Sequence, residues 1–413
     1  MRCGTTDQGL RFAVRRSGRA VGCCALSIRC GTRDEGGFPG GIAHFTEHTL
    51  FKGTRRKSAA VINGYLDRLG GELNAYTTKE EIVLHATVLK EDLPKAVSLL
   101  LELATEASFP DGPVATERGV VLDEIISYKD MPADAVYDRF EEMLFEGHPL
   151  GRPILGSAAS VRKITPEQLR RFVAERFTPE RMALTVVADE DEALLERKLR
   201  RLSATFFAGR GIPAQGEAAQ PLKESPPARA PFHLRLEKRH HEVNAVLGGT
   251  APSLYAGRDR YIAALLANIV GGPASNSILN AVLRERHGWV YGVECTYTQY
   301  ADSGIIAISF GCERANLDAC FRVIGRELEA LRSTPLSPRK LQAAKKQLFG
   351  QLAISSESAE AQCLSMGKSL LAWGRVNASA EDRAILSSIR ADELQSMARR
   401  LFDPERLSSL VYL

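Results

Sequence analysis

The sequence predicts an α+β protein of two homologous domains, each an antiparallel sheet packed with helices. Three observations lead there: an internal duplication, a Gly/Ala/Pro-rich stretch between the copies, and strand pairs at hairpin spacing beside runs of consecutive helices. A βαβ array would alternate strand and helix instead.

The duplication reads position by position. Ile164-Thr165-Pro166-Glu167-Gln168-Leu169, running on to Phe177-Thr178-Pro179-Glu180-Arg181-Met182, returns as Ile389-Arg390-Ala391-Asp392-Glu393-Leu394 and Phe402-Asp403-Pro404-Glu405-Arg406-Leu407, always displaced by 225 positions. Pro110 and Pro113 are answered at the same distance by Pro335 and Pro338, and Leu93 by Leu317 at 224. Between the copies, Gly209, Gly211, Pro213, Gly216, Pro221, Pro226 and Pro227 punctuate a segment that cannot hold a regular element. The expected domains are therefore 1–205 and 232–413, joined by an exposed linker at 206–231.

Within the first copy, residues 21–30 are apolar enough for a strand, and Val83-Leu84-His85-Ala86-Thr87-Val88-Leu89 is rich in β-formers. Residues 92–107 carry a Leu/Val/Ala face at helical spacing, and 113–129 open with a proline in the first turn. Residues 165–177 start on Thr165-Pro166-Glu167, a cap followed by an N1 proline and an acidic first turn. Met182 to Val187 closes the copy as a strand. In the second copy, 291–300 and 304–311 are spaced as a hairpin.

Composition narrows the function classes. The 413 residues carry a net charge of +4, with 25% charged and 44% hydrophobic residues, which fits a folded globular chain and not wholesale disorder. The densest basic stretch, Lys238-Arg239-His240-His241, is too short for a nucleic-acid arm, so no nucleic-acid partner is expected. No stretch approaches the roughly 18 apolar residues of a membrane span, and the N-terminus has no apolar signal core. The eight cysteines form no CxxC pair. Free buried thiols, no membrane and a cytoplasmic location are the expectation.

His44-Phe45-Thr46-Glu47-His48 reads HxxEH, just after the turn-forming Pro39-Gly40-Gly41. On a helix, positions i, i+3 and i+4 share a face, so His44, Glu47 and His48 point the same way. Two imidazoles one turn apart supply two of the three protein ligands of a catalytic zinc site, and a carboxylate between them can take a proton from water. Alone, such a pair also fits a solvated helix face. In the helix expected at 113–129, Glu117 and Glu124 are seven apart and hence two turns apart on one face. His85, alone on a strand, and the pair His240-His241 read as ordinary residues rather than ligands.

With these in hand, the chain resembles the insulinase/pitrilysin family of zinc metallopeptidases, named for the inverted motif, and within it the bacterial relatives of the mitochondrial processing peptidase. Gly31-Thr32-Arg33-Asp34-Glu35 followed by Gly41-Ile42-Ala43-His44-Phe45-Thr46-Glu47-His48-Thr49-Leu50-Phe51-Lys52-Gly53-Thr54 is similar to its signature block. Leu73-Asn74-Ala75-Tyr76-Thr77-Thr78-Lys79-Glu80 is similar to its LNAYTSRE stretch, and the 76 positions from His48 to Glu124 match its spacing. The resemblance implies a processing-peptidase-like metallohydrolase fold. It implies one Zn2+ per chain on His44, His48 and Glu124, Glu47 as general base and Glu117 as the carboxylate that orients a ligand.

Leu283-Arg284-Glu285-Arg286-His287-Gly288-Trp289-Val290-Tyr291 is similar to the family's REKRGLxYS segment. The resemblance makes Arg284 and Tyr291 donors to a substrate carbonyl, and Asn74 and Ala75 the strand residues whose backbone pairs with an extended peptide. Asn74 also suits a turn after Gly70-Gly71.

Displacing Glu117 and Glu124 by 225 gives Gln342 and Phe349, and no HxxEH follows residue 205, so one half is expected to hold the metal and the other to complete the chamber. Family chambers contain four such domains. A homodimer or a pairing with a related chain is implied, with unfolded peptides or presequence-like segments as substrates. A non-catalytic structural or binding subunit is the competing reading. Thr49, Thr78, Lys79 and Pro273 depart from the family pattern, and they are expected near the path of a peptide.

Overall fold

The computed structural model describes residues 1–208, 225–238, 242–377 and 379–413. In the first copy the strands are β1 (Arg2–Thr5), β2 (Arg11–Arg16), β3 (Val21–Ile28), β4 (Glu72–Thr77), β5 (Ile82–Leu89) and β6 (Met182–Ala188). Its helices are α1 (Ile42–Leu50), α2 (Ala59–Asn63), α3 (Leu93–Glu106), α4 (Asp111–Tyr128), α5 (Pro132–Leu144), α6 (Ala158–Val161), α7 (Pro166–Arg176) and α8 (Glu192–Phe206). The second copy has β7 (His233–Leu236), β8 (Val243–Ala251), β9 (Val290–Gln299), β10 (Gly304–Cys312) and β11 (Ser408–Tyr412). Its helices are α9 (Arg258–Gly271), α10 (Leu317–Ser333), α11 (Pro338–Ser355), α12 (Ala359–Trp373), α13 (Ser379–Ser388) and α14 (Ala391–Leu401).

The duplication is visible in the topology. One sheet runs β1-β2-β6-β3-β5-β4 and the other β7-β11-β8-β10-β9, the same order less one edge strand. Both are mixed rather than purely antiparallel, because β2 pairs with β6 and β7 with β11 in parallel. The partners in each pair stand at opposite ends of their copy, so no short hairpin imposes an antiparallel direction. The hairpin expected at 291–300 and 304–311 forms, as β9 and β10 pair antiparallel.

Local signals place the helix ends. Thr165 accepts from the Gln168 amide and Gln168 Oε1 from the Thr165 amide, a capping box in front of Pro166. Its buried anchors, Leu169 and Phe172, lie one turn apart.

The compact units are not the contiguous halves 1–205 and 232–413. Among the described residues, one unit gathers 1–126, 152–208 and 354–377, and the other 127–151, 225–353 and 379–413. Helix α12 therefore packs on β6, β3 and β2, and α5 on β8, β11 and β10. In the first unit Cys363, Met366 and Leu370 of α12 meet Cys23, Ala25, Val83 and Val187 of the sheet. In the second, Val136, Phe140 and Leu144 of α5, spaced i, i+4, i+8, meet Val246, Ile305 and Leu410. Each copy thus lends one helix to the other's sheet. Of the expected linker, residues 209–224 lie outside the described residues, and 225–231 form no helix or strand. The pair His240-His241 also lies outside them.

The other face of the first sheet carries the large core that seats α1, in which Ile42, Phe45 and Leu50 are fully buried. Burying each such side chain contributes roughly 1.5–3 kcal/mol, enough to fix the rotation of a nine-residue helix. The chain enters α1 through Gly41, at φ +86° with its Cα hydrogens toward the Leu155 carbonyl; an added Cβ would lie 2.6 Å from that oxygen. Gly41→Ala is expected to lower stability by at least about 2 kcal/mol, from left-handed strain plus the close contact. Thermal unfolding of the variant against the parent checks this.

Candidate metal centre

The apolar anchors of α1 face the core, so the opposite side carries His44, Glu47 and His48. The imidazole rings of His44 and His48 lie 4.6 Å apart. Helix α4 brings its own face alongside, as the seven-residue spacing requires. Glu124 Oε2 stands 3.8 Å from His44 Nε2 and 3.5 Å from His48 Nε2. Two turns earlier, Glu117 Oε1 is 2.9 Å from His48 Nδ1.

Three protein atoms thus converge: those of His44, His48 and Glu124 lie within 4.8 Å of one another, and among the described residues no other such group of His, Cys, Asp and Glu occurs. Zinc bonds of about 2.0–2.2 Å in a tetrahedron separate neighbouring ligand atoms by about 3.3–3.6 Å. The observed separations need little adjustment to match. Glu124 Oε2 is buried and has no hydrogen-bond partner, which is costly for a carboxylate oxygen unless a cation meets it. Burial, with His48 as a smaller contributor, lowers the His44 pKa to about 3, so that ring is neutral with a lone pair to offer. The donor set fits a zinc ion with one position left for solvent.

The surroundings orient these ligands. Lys52 Nζ lies 2.6 Å from Glu117 Oε2, leaving Oε1 for the His48 ring. A carboxylate engaged by an ammonium is an acceptor toward imidazole, so His48 carries its hydrogen on Nδ1 and turns the Nε2 lone pair toward Glu124. His44 Nδ1 has no such partner. Glu47 Oε2 accepts a 2.7 Å hydrogen bond from Thr77 Oγ1. Burial pushes the Glu47 carboxyl up, while the hydrogen bond from Thr77 pulls it back. At the start of α1, Glu35 Oε1 accepts from the Ala43 amide at 3.0 Å, and burial raises its pKa to about 7 against the hydrogen bonds from Ala43 and Gly41.

The other expected residues fall as follows. Asn74 and Ala75 lie within β4, opposite His85 and Leu84 of β5, so Asn74 is a strand residue and not a turn. Ala75 packs on the α1 core, whereas Asn74 is exposed on the opposite face. Arg284 belongs to the second unit, in a π-helical turn at Asn280–Arg286, and pairs with its neighbour Glu285 at 2.8 Å. Tyr291 follows in β9 and is 71% exposed. His85, set aside as a ligand, meets Glu360 of α12 at 2.9 Å. At the positions displaced by 225 from the acidic pair, Gln342 is exposed and Phe349 packs on the second core.

Of the departures from the family pattern, Thr49 is fully buried and returns its hydroxyl to the Phe45 carbonyl. Lys79 is buried too and donates to the Arg152 carbonyl. Both side chains are turned inward. Lys52, Thr77 and Glu35 were assigned no role from sequence. A helical spacing of four links Lys52 to His48, but Thr77 and Glu35 reach the site through tertiary contacts that no local spacing announces.

An α+β duplication with one inverted-motif cluster of candidate metal ligands among the described residues is the class that fold and site define. The chain belongs to the insulinase family, peptidase family M16: that family's model matches residues 11–158, and the model described as the peptidase M16 inactive domain matches 163–348. Among its relatives, an uncharacterized zinc protease of Streptomyces coelicolor is 31% identical over 89% of this chain and 80% of its own length. One from Bacillus subtilis is 29% identical over 98% and 97%. A protease from Helicobacter pylori of known crystal structure superposes with a TM-score of 0.90 at 18% identity, covering 100% of this chain and 99% of that one, which speaks for the fold.

Proposed function

We propose that the protein is a zinc-dependent endopeptidase, holding one ion per chain and hydrolysing unfolded peptides or presequence-like segments bound extended. The observation that carries this reading is the convergence of His44, His48 and Glu124 with Glu47 on the same helix face. Zinc, when bound there, supplies Lewis acidity toward water and a substrate carbonyl. Glu47 takes the proton of the attacking water and delivers it to the amine nitrogen as the C–N bond breaks. Arg284 and Tyr291 keep the role that the resemblance implies, donors to a carbonyl oxygen, and the exposure of the Tyr291 phenol supports it.

Strand β4 ends its sheet, so its outer backbone edge supports docking of an extended chain at Asn74 and Ala75. A homodimer, or a pair with a related chain, enclosing the chamber is part of the proposal. So is a cytoplasmic setting: the eight cysteines are unpaired and no helix among the described residues is long and apolar enough to cross a membrane. The complete ligand set speaks against a purely structural or binding subunit.

The test is hydrolysis of a quenched, unstructured peptide by the purified protein, with a chelator added and zinc then restored. Cleavage that is lost and recovered is expected. A zinc-loaded protein that leaves peptides intact would refute the proposal, in favour of a binding subunit if it is inert and of another hydrolase if it turns over simple esters or non-peptide amides.

A further inference from the structure

We propose that Thr77 is a positioning residue for Glu47, and that it ties the orientation of the base to the strand expected to hold the substrate. The inference rests on the peptidase reading and deepens it. Along β4, Leu73 and Ala75 point into the core beneath α1, while Tyr76 packs on the opposite side of the sheet against the α12 layer. Alternation places Thr77 on the α1 side. Its hydroxyl has a single hydrogen, which it donates to Glu47 Oε2 at 2.7 Å.

Among the described residues this is the hydrogen bond that the Glu47 carboxylate accepts. It leaves Oε1 to take a proton. A glutamate has three rotatable side-chain bonds and, untethered at the end of a helix face, would spread over several rotamers. Thr77 is β-branched and stiff about χ1 within a strand, so its oxygen is a fixed anchor. It lies two positions along β4 from Ala75, whose backbone faces the open edge of the sheet. A peptide seated on that edge and the base that serves it are therefore referenced to one rigid element.

The test compares Thr77→Val and Thr77→Ser with the parent in steady-state peptide hydrolysis, alongside zinc content and thermal unfolding. Valine preserves shape and suits a strand, so folding and one zinc per chain are expected to persist. With Thr77→Val, kcat is expected to fall roughly 10-fold, a part of what a general base supplies, with KM within about 2-fold. Thr77→Ser should recover most of the loss. Unchanged kcat in Thr77→Val overturns the inference, as does an equal loss in both variants, which marks packing instead. A parent without zinc-dependent turnover would overturn the peptidase reading and this inference with it, whereas with an active parent the two variants bear on Thr77 alone.

Discussion

Glu47→Gln is expected to keep one zinc per chain and to lose peptide turnover by roughly 10²–10⁴-fold, the range attributed to general acid–base catalysis. Glutamine fills the same space and its carbonyl oxygen can still accept the hydrogen bond from Thr77 Oγ1. It cannot accept a proton. Since Glu47 is not among the three residues whose atoms converge, the ligand set is untouched. Metal analysis and kcat on the same quenched peptide, measured for both proteins, decide the matter. Equal turnover would remove Glu47 from the reaction.

Glu124→Ala is expected to empty the site. The variant leaves two neutral imidazoles with no anionic ligand, and zinc is held weakly by a pair alone. Lys52→Met provides the graded control, because it leaves all three ligands and withdraws the group that holds Glu117 Oε2. Loss of such an orienting contact typically weakens metal binding by 10–100-fold. Chelator competition should therefore rank parent, Lys52→Met and Glu124→Ala in descending zinc affinity, with the last retaining less than the second. A Glu124→Ala protein that binds zinc as tightly as the parent would show that another group completes the site.

How far the site was legible follows from how local each relation is. His44, Glu47 and His48 are one turn of one helix, and Glu117 and Glu124 two turns of another, so periodicity alone put each set on a face. That the two faces meet was implied only by the family spacing of 76 positions, and in the structure Glu124 lies 3.5 and 3.8 Å from the two rings. Thr77 and Glu35 lie 30 and 8 residues from their partners. Nothing in a strand pattern marks one threonine as the donor to a distant carboxylate. The inward-facing side chains of Thr49 and Lys79 were hidden for the same reason, as proximity in sequence to the motif says little about which way a side chain faces.

Helices α5 and α12 were not anticipated, although Val136, Phe140 and Leu144 repeat at helical spacing. Their exchange between units could not have been read at all. An amphipathic helix encodes that it needs an apolar surface, not which of two similar sheets provides it.

The sequence by itself determined the duplication, the α+β class, the candidate ligand types and the half that carries them, because these depend on repeats, short-range periodicity and side-chain chemistry. Tertiary structure decided the parallel pairing of β2 with β6, the exchange of α5 and α12, and the tether of Glu47 to Thr77. Each of these is a choice among partners far apart in the chain, and packing of whole surfaces, rather than any local preference, selects between them.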